Sequence, residues 1–591
     1  MSTRPVASQL KGFVRNVVLL TAFAGTIAIL FSGCRNVVRR GQSPDESLLK
    51  FSNDADTNFI GKVCGVRGLR PAQIEGIGLV VGLDSTGSNP KPSGQKDYLL
   101  RELKINSTTD NAKSALKSKN TSMVMIRGLI PPGARIGDII DLEVIAPPNS
   151  DTTSLKYGEL LKTDMRPMSP VTRSVKLGNV QGKAKGRVLV DGLFESSTDD
   201  SHLLRGRILG GGVVKADRDL TLVVHSENTS VKVTRSIAHS INQRYNKISK
   251  DGRDDVAKPV TDRIIQLAVP HEYQHNLGRF IQSLQAMAYS ETQEERASRL
   301  KDLDRRLSDA TTAKRAAIEL EAIGADSEPI LREAIQHPDF EVRFYVAETM
   351  AYMGFADGVP HLKQAAESEP AFRWHALTAL ASIDSNVAVQ ALKSLLDLPS
   401  AETRYGAFRA LQACCPDDSR ISGKLLGDEF YFHDVSTDAD GMVHFARTRK
   451  PEIVVFGNDH VADDFLFVEA GLTVKAIDDS RARVIRFDPI DGETRFTCSS
   501  SISELIKTLA RFGVDYTTLL ELCREADAND TLNSRLVINA APRIGSKSMD
   551  DSVGSNSRDS TERSERYISH PVPNLFSDVQ QEASPQDELE Q

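Results

Sequence analysis

The hydrophobic pattern of this chain changes period along its length, and each change predicts a different kind of element. Between residues 77 and 83, Ile77, Leu79, Val81 and Leu83 alternate with Gly78, Val80 and Gly82. A period of two predicts a strand, and its small face lets another backbone come close. Asp84-Ser85-Thr86-Gly87 ends it as a turn. Residues 122–129 and 139–145 read as a second strand pair around the Pro131-Pro132-Gly133 break. Residues 220–224 and 263–269 read as strands, each followed by a helix. Thr229 or Ser230 is placed to cap the first helix, with Val233, Ile237, Ala238 and Ile241 on one face; Leu277, Phe280, Ile281 and Leu284 mark the second. This order predicts a βαβ-like α/β unit.

From residue 313 to 416 the period is helical and repeats itself. Val342-Arg343-Phe344-Tyr345-Val346-Ala347, Phe372-Arg373-Trp374-His375-Ala376-Leu377 and Thr403-Arg404-Tyr405-Gly406-Ala407-Phe408 recur about every 30 residues, with a fainter copy from Arg315. Each copy should open a helix and a second helix should follow, which is the signature of a HEAT-like solenoid. Trp374, Arg343, Arg373 and Arg404 are expected to pack repeat against repeat rather than form a binding stripe. Such an insert should enter and leave its host at nearby surface points, so replacing 311–416 by a short linker should leave the host folded. Residues 417–449 read as a linker with some strand. Strands return at 451–456, 465–468 and 484–487. Ser503 and Asp515 are expected to cap two helices, with Gly513 past the first, and 535–538 is a final strand. From about Arg543 the chain is rich in Ser, Asp, Glu and Gln, a composition that predicts a disordered tail.

Composition narrows the function. The 591 residues exceed one core and predict several units. A net charge of -7 gives no footprint for nucleic acid. Arg4, Lys11 and Arg15 precede an apolar run from Val17 to Leu30, too short for a span of about 20 residues. Phe31-Ser32-Gly33-Cys34 then resembles a lipobox, which makes Cys34 a lipidation candidate; an ordinary cleaved signal is the alternative. Of the six cysteines, Cys498 and Cys523 fall in one C-terminal unit and could pair. No CxxC occurs, so a thiolate zinc site is not indicated.

Two motifs mimic catalytic ones. His271-Glu272-Tyr273-Gln274-His275 fits the HExxH pattern of zinc proteases. On a helix, both histidines would point about 140° away from the apolar face of Leu277, Phe280, Ile281, Leu284 and Ala288, which predicts a solvated helix start without zinc. Gly76, Gly78 and Gly82 lack the Rossmann and P-loop spacings. No catalytic residue, metal or cofactor is expected.

Gly65-Val66-Arg67-Gly68 and the run from Gly76 through Asp84-Ser85-Thr86-Gly87 resemble the signature of the flagellar P-ring protein family. Val124-Met125-Ile126, the run from Leu129 to Asp138, and Gly206-Arg207-Ile208 to Val214 resemble its following blocks. Ser503-Glu504-Leu505-Ile506, Phe512-Gly513-Val514 and Leu519-Leu520 resemble its C-terminal helices. The resemblance covers residues 61–290 and 450–540. It implies mixed α/β (α+β) P-ring-like domains split by an all-α HEAT-like solenoid, and a structural protein rather than an enzyme. The solenoid, the lipobox and the long tail are not part of the family's common pattern.

The expected order is a signal peptide with a lipobox-like end (1–34), a tether (35–58), a P-ring-like N-terminal part (59–300), helical repeats (311–416), a linker (417–449), a P-ring-like C-terminal part (450–542) and a tail (543–591). The resemblance implies a homo-oligomeric ring in the periplasm, in the flagellar basal body. Its partners would be rod and outer-ring proteins and peptidoglycan, and the ring would serve motility. Lipidation of Cys34 would add an outer-membrane anchor. Gly78, Gly82, Asp84 and Thr86 are the assembly candidates. The alternatives are an envelope lipoprotein scaffold that docks a partner on its repeats and, more remotely, an HExxH zinc metalloprotease.

Overall fold

The computed structural model describes residues 57–105, 112–148, 150–171, 174–194, 200–245, 247–249, 252–469, 471–488, 492–543 and 575–576. The segments expected as signal peptide, with Cys34, and most of those expected as tether and tail lie outside the described residues.

After a short strand at Asn58–Phe59 and a helical turn at Ile60–Val63 come β1 (Cys64–Arg67) and β2 (Ala72–Val81). Helix α1 (Gly94–Ile105) follows, then β3 (Thr121–Ile130), β4 (Ile139–Ile145), β5 (Glu159–Met165), β6 (Gly182–Arg187), β7 (Leu189–Val190) and β8 (Arg205–Val214). Strands β2 to β8 form one antiparallel sheet in the order β7-β8-β4-β3-β2-β5-β6, and β8 also pairs with β6, which closes a barrel. Closure removes exposed sheet edges. The two faces of β2 divide as its pattern predicts. Ile77 and Leu79 face outward and pack under Leu99 and Leu103 of α1, while Ile74 and Val80 join the barrel interior.

A second unit comprises β9 (Leu220–Val224), α2 (Val231–Tyr245), β10 (Ala257–Pro259), β11 (Ile264–Leu267) and α3 (Leu277–Gln285). Its sheet runs β10-β11-β9-β1. The βαβ reading is corrected here. β9 and β11 pair antiparallel, so the sheet needs no parallel crossover. The Ser230 hydroxyl accepts from the Lys232 N–H at the start of α2, as expected of a cap.

Helices then stack. They are α4 (Gln293–Leu307), α5 (Ala310–Ile323), α6 (Glu328–Ala334), α7 (Phe340–Tyr352), α8 (Val359–Ser368), α9 (Pro370–Ser382), α10 (Asn386–Leu395) and α11 (Ala401–Cys414). Each repeated Arg-aromatic motif lies in the first half of α7, α9 or α11, and each of those helices starts on a local signal. Asp339 caps α7, Pro370 opens α9 and Ser400 caps α11. Trp374 and Arg373 are buried, and Arg373 donates to Glu402 of the next repeat, as repeat packing requires; buried Arg404 instead donates to the Asp440 carbonyl of the C-terminal unit, and half-buried Arg343 donates to the His337 and Pro338 carbonyls.

The region expected as a linker with some strand holds more strand than that. It carries β12 (Gly423–Leu426), β13 (Phe430–Val435) and β14 (Met442–Phe445). With β15 (Glu452–Phe456) and a last strand at Arg535–Ile538 they form a five-stranded mixed sheet. Between those two strands come β16 (Leu466–Glu469), β17 (Leu472–Asp478), β18 (Arg481–Asp488) and β19 (Gly492–Ser499), an antiparallel meander, and then α12 (Ile502–Arg511) and α13 (Tyr516–Ala528). Asp515 caps α13, and Gly513 sits in the left-handed region after α12 as expected. The residue before α12 is Ser501 rather than Ser503, which lies inside the helix.

The five-stranded sheet is a middle layer. Val435, Met442, Val454 and Phe456 face the core shared with the solenoid and the α/β unit. Phe430, Phe432, Val443, Phe445, Ile453 and Val455 face the core shared with the barrel. The repeats therefore share an apolar core with this sheet and the α/β unit.

Candidate assembly surface

The assembly candidates lie together at the end of β2, but they do different things. A Cβ on Gly78 would stand 2.7 Å from Ile126, Leu160 and Thr163, so this glycine serves close packing inside the barrel. Gly82 has φ +77°, a conformation that glycine adopts without strain, and it turns the chain out of the strand. Thr86 is engaged within the subunit. Its hydroxyl donates to the Ser154 carbonyl at 2.9 Å, and its own carbonyl accepts from the Thr153 N–H at 2.8 Å.

Asp84 is exposed at the tip. Beneath it the turn is tied down. The Leu83 and Gly87 N–H groups donate to the Asn120 and Lys119 carbonyls at 3.0 and 2.7 Å. Behind the turn, Ser88, Ser122, Ser150 and Thr152 form a hydroxyl network with contacts of 2.8–3.0 Å. The arrangement presents one carboxylate on a rigid support. Such a support lets a contact form with little ordering cost.

Sequence reasoning missed two polar anchors. Asp141 of β4 is buried, and its carboxylate accepts from the Gly210 N–H at 2.6 Å and the Arg449 N–H at 2.8 Å. It thus ties the barrel to the loop between β14 and β15. The signal was an acidic residue in a strand whose other positions, Glu143 aside, are apolar. The second is Arg279 of α3. Its guanidinium donates to Glu321 at 2.7 and 2.9 Å, to Glu348 at 2.9 Å and to Thr349 at 2.9 Å. Tyr273 stacks on Tyr352 at 5.0 Å and donates to Glu321. Burial raises the Glu348 carboxyl, but Arg279 and His375 outweigh it and hold the group at about 2; at Glu321 burial prevails and the shift is upward.

The HExxH segment is not helical. Residues His271–Tyr273 form a single 3-10 turn, and α3 begins only after its cap, Asn276. Tyr273 points into the core, His271 is exposed, and half-buried His275 is pushed down to about 4 by burial and neighbouring cations. The solvated-helix reading is therefore corrected. The side chain of Gln274 lies between the two histidine rings, 3.5 and 3.2 Å from them. Among the described residues no three His, Cys, Asp or Glu side chains gather in a set able to hold a metal ion. Cys498 and Cys523 are free thiols.

Residues 60–298 match the family model "Flagellar P-ring protein", and residues 328–412 match "HEAT repeats". The N-terminal part resembles flagellar P-ring proteins. The flagellar P-ring protein of Thermotoga maritima is 29% identical over 234 residues, 38% of this chain and 65% of that protein. That of Buchnera aphidicola subsp. Baizongia pistaciae is 29% identical over 229 residues, 37% of this chain and 57% of its own length. That of Pectobacterium atrosepticum is 30% identical over 226 residues, 37% and 57% respectively. The chain spans less than two thirds of the length of these relatives. The P-ring-like match takes in the whole barrel and the α/β unit. The C-terminal blocks at 450–540 fall outside it.

Proposed function

We propose that this protein is a structural subunit of a flagellar basal-body P ring and has no enzymatic role. It assembles as a homo-oligomeric ring around the rod in the periplasm, contacts rod and outer-ring proteins and peptidoglycan, and supports motility. The observation that carries this reading is the unbroken P-ring-like match across two complete folded units, the barrel and the α/β unit. On this reading Cys34, if acylated, adds a membrane tether, and the mass of the native N-terminal peptide decides that point.

Ring closure needs a heterologous contact, one surface meeting a different one on the next copy. Exposed Asp84, on its rigid turn, is assigned to one side of it. Asp84→Lys should leave circular dichroism and melting unchanged while reducing large assemblies, since a reversed charge at a contact costs several kcal/mol. Electron microscopy of detergent-extracted envelopes reads the outcome. Wild-type protein that forms no rings and never copurifies with rod proteins would end the ring reading and leave an envelope scaffold in its place.

A further inference from the structure

The C-terminal segment, compositionally a disordered tail, contains two residues that behave as core. Leu575 and Phe576 are 1% and 2% exposed and belong to the cluster shared by the solenoid and the five-stranded sheet. The Phe576 ring meets Trp374 of α9 edge to face, with centroids 6.4 Å apart. The Leu575 carbonyl accepts from Arg449 Nη1 at 3.4 Å. The floor of this dock is preorganised. Arg449 is held at φ +70° by its N–H bond to Asp141, and its carbonyl abuts Gly210, where a Cβ would come within 2.5 Å.

Chain length shows what this contact is suited to do. Pro542, near the end of the preceding folded segment, packs at Gly406 beside Leu377. Leu377 lies one turn of α9 from Trp374, about 5 Å along the axis. The chain thus leaves the fold close to the point where Leu575 and Phe576 return. Yet the connection, residues 544–574, is 31 residues long. Fully extended it would reach about 100 Å, and as a coil it would span about 30 Å. So long a connection is not needed to reach the dock from Pro542, and its length exceeds what the contact within one copy requires.

We infer that Leu575-Phe576 and the Trp374–Arg449 dock form an exchangeable clamp, in which the tail of one copy seats on the solenoid of the next. Burial of two large apolar side chains in a preformed site supplies the affinity. The long tether makes cis and trans occupancy comparable once copies stand side by side. The trans step rests on the ring reading; the dock itself does not.

The chain has one tryptophan, Trp374, so its fluorescence reports the dock directly. Full-length Phe576→Asp protein should show a red-shifted Trp374 emission. A synthetic peptide of residues 569–580 should reverse the shift saturably, and the same peptide carrying Phe576→Asp should bind more than about tenfold more weakly. No shift and no saturable binding would overturn the dock. For exchange, normal and ¹⁵N-labelled chains bearing a photo-reactive phenylalanine analogue at position 576 are mixed, assembled and irradiated. Mixed-isotope cross-links to the peptide containing Trp374 are expected. Cross-links only within one isotope would overturn exchange while leaving the dock. Protein that stays monomeric would remove the ring reading and exchange together, with the peptide titration still deciding the dock.

Discussion

Two seams hold this protein together, and they use the same charge arithmetic to different ends. Where the α/β unit meets the solenoid, Arg279 faces Glu321 and Glu348. Where the barrel meets the C-terminal unit, Lys156 faces Glu469 and Glu521 at 3.2 and 2.6 Å, with the Tyr157 hydroxyl donating to Glu469. Each of these clusters sets one cation against two carboxyls, and the second seam adds Arg187 against Glu429 and Asp515. At the first seam the side chains are 4%, 0% and 2% exposed; at the second, 27%, 26% and 21%. The dry seam fixes a neighbour as a core contact does, and removing one partner leaves an uncompensated charge. The wetter seam is softened by solvent, and one of its carboxyls is moved into the physiological pH range.

The largest break in the comparison is to remove the solenoid side of the dry seam. Replacing 311–416 by a flexible linker would delete Glu321 and Glu348 from Arg279, Tyr352 from Tyr273, and Tyr405 from Glu452. It would also expose one face of the five-stranded sheet. The trimmed chain should therefore fail to give a cooperative melt, contrary to the expectation for a surface insert. A sharp transition with native circular dichroism would show the host independent after all. The next effect is local. Arg279→Met leaves two buried carboxyls without their cation and should cost about 3–5 kcal/mol in urea denaturation. A loss below about 1 kcal/mol would mean that both carboxyls simply take up protons.

What the sequence made legible was local. The strands at 139–145, 220–224 and 535–538 fall where they were expected, and the Arg-aromatic copies mark α7, α9 and α11. Those signals live within a few neighbouring residues. What stayed hidden depends on distant partners. Residues 417–449 looked like linker because β13 finds its parallel neighbour β15 only after β14 has intervened. The direction of β11 beside β9 is a pairing choice that no window shows. Among the assembly candidates, Gly78 and Thr86 proved to serve the subunit's own packing, since a glycine or hydroxyl pattern does not say whose backbone it approaches. Arg279 and Asp141 could have been flagged as charges inside apolar runs, but their partners lie 42 and 308 residues away.

The finest test of the two seams is pH. Burial, together with neighbouring Glu469, raises the Glu521 carboxyl to about 7, despite Lys156. A carboxyl raised above its unfolded value of 4.5 binds a proton more tightly in the native state. Its contribution is therefore complete below about pH 4.5, declines as the unfolded state ionises first, and is lost by about pH 7. Glu469 is shifted downward, so its own effect falls below that window. Partial exposure and the shared Lys156 reduce the full linkage value, and a loss of about 1–2 kcal/mol between pH 5 and pH 8 is expected for this one group. Glu521→Gln keeps the side-chain shape without the titration. Urea denaturation of wild type and variant at both pH values gives the stability difference, in which groups distant from Glu521 cancel and only its coupled partners Glu469 and Lys156 contribute beside it. Wild type should fall relative to the variant by that amount as pH rises. At the dry seam the corresponding change, Glu348→Gln, removes a carboxyl held at about 2, so that group's own contribution is lost as pH falls from about 4.5 to 2. A Glu521 difference that does not move between pH 5 and pH 8 would mean that the wetter seam is as silent at physiological pH as the dry one.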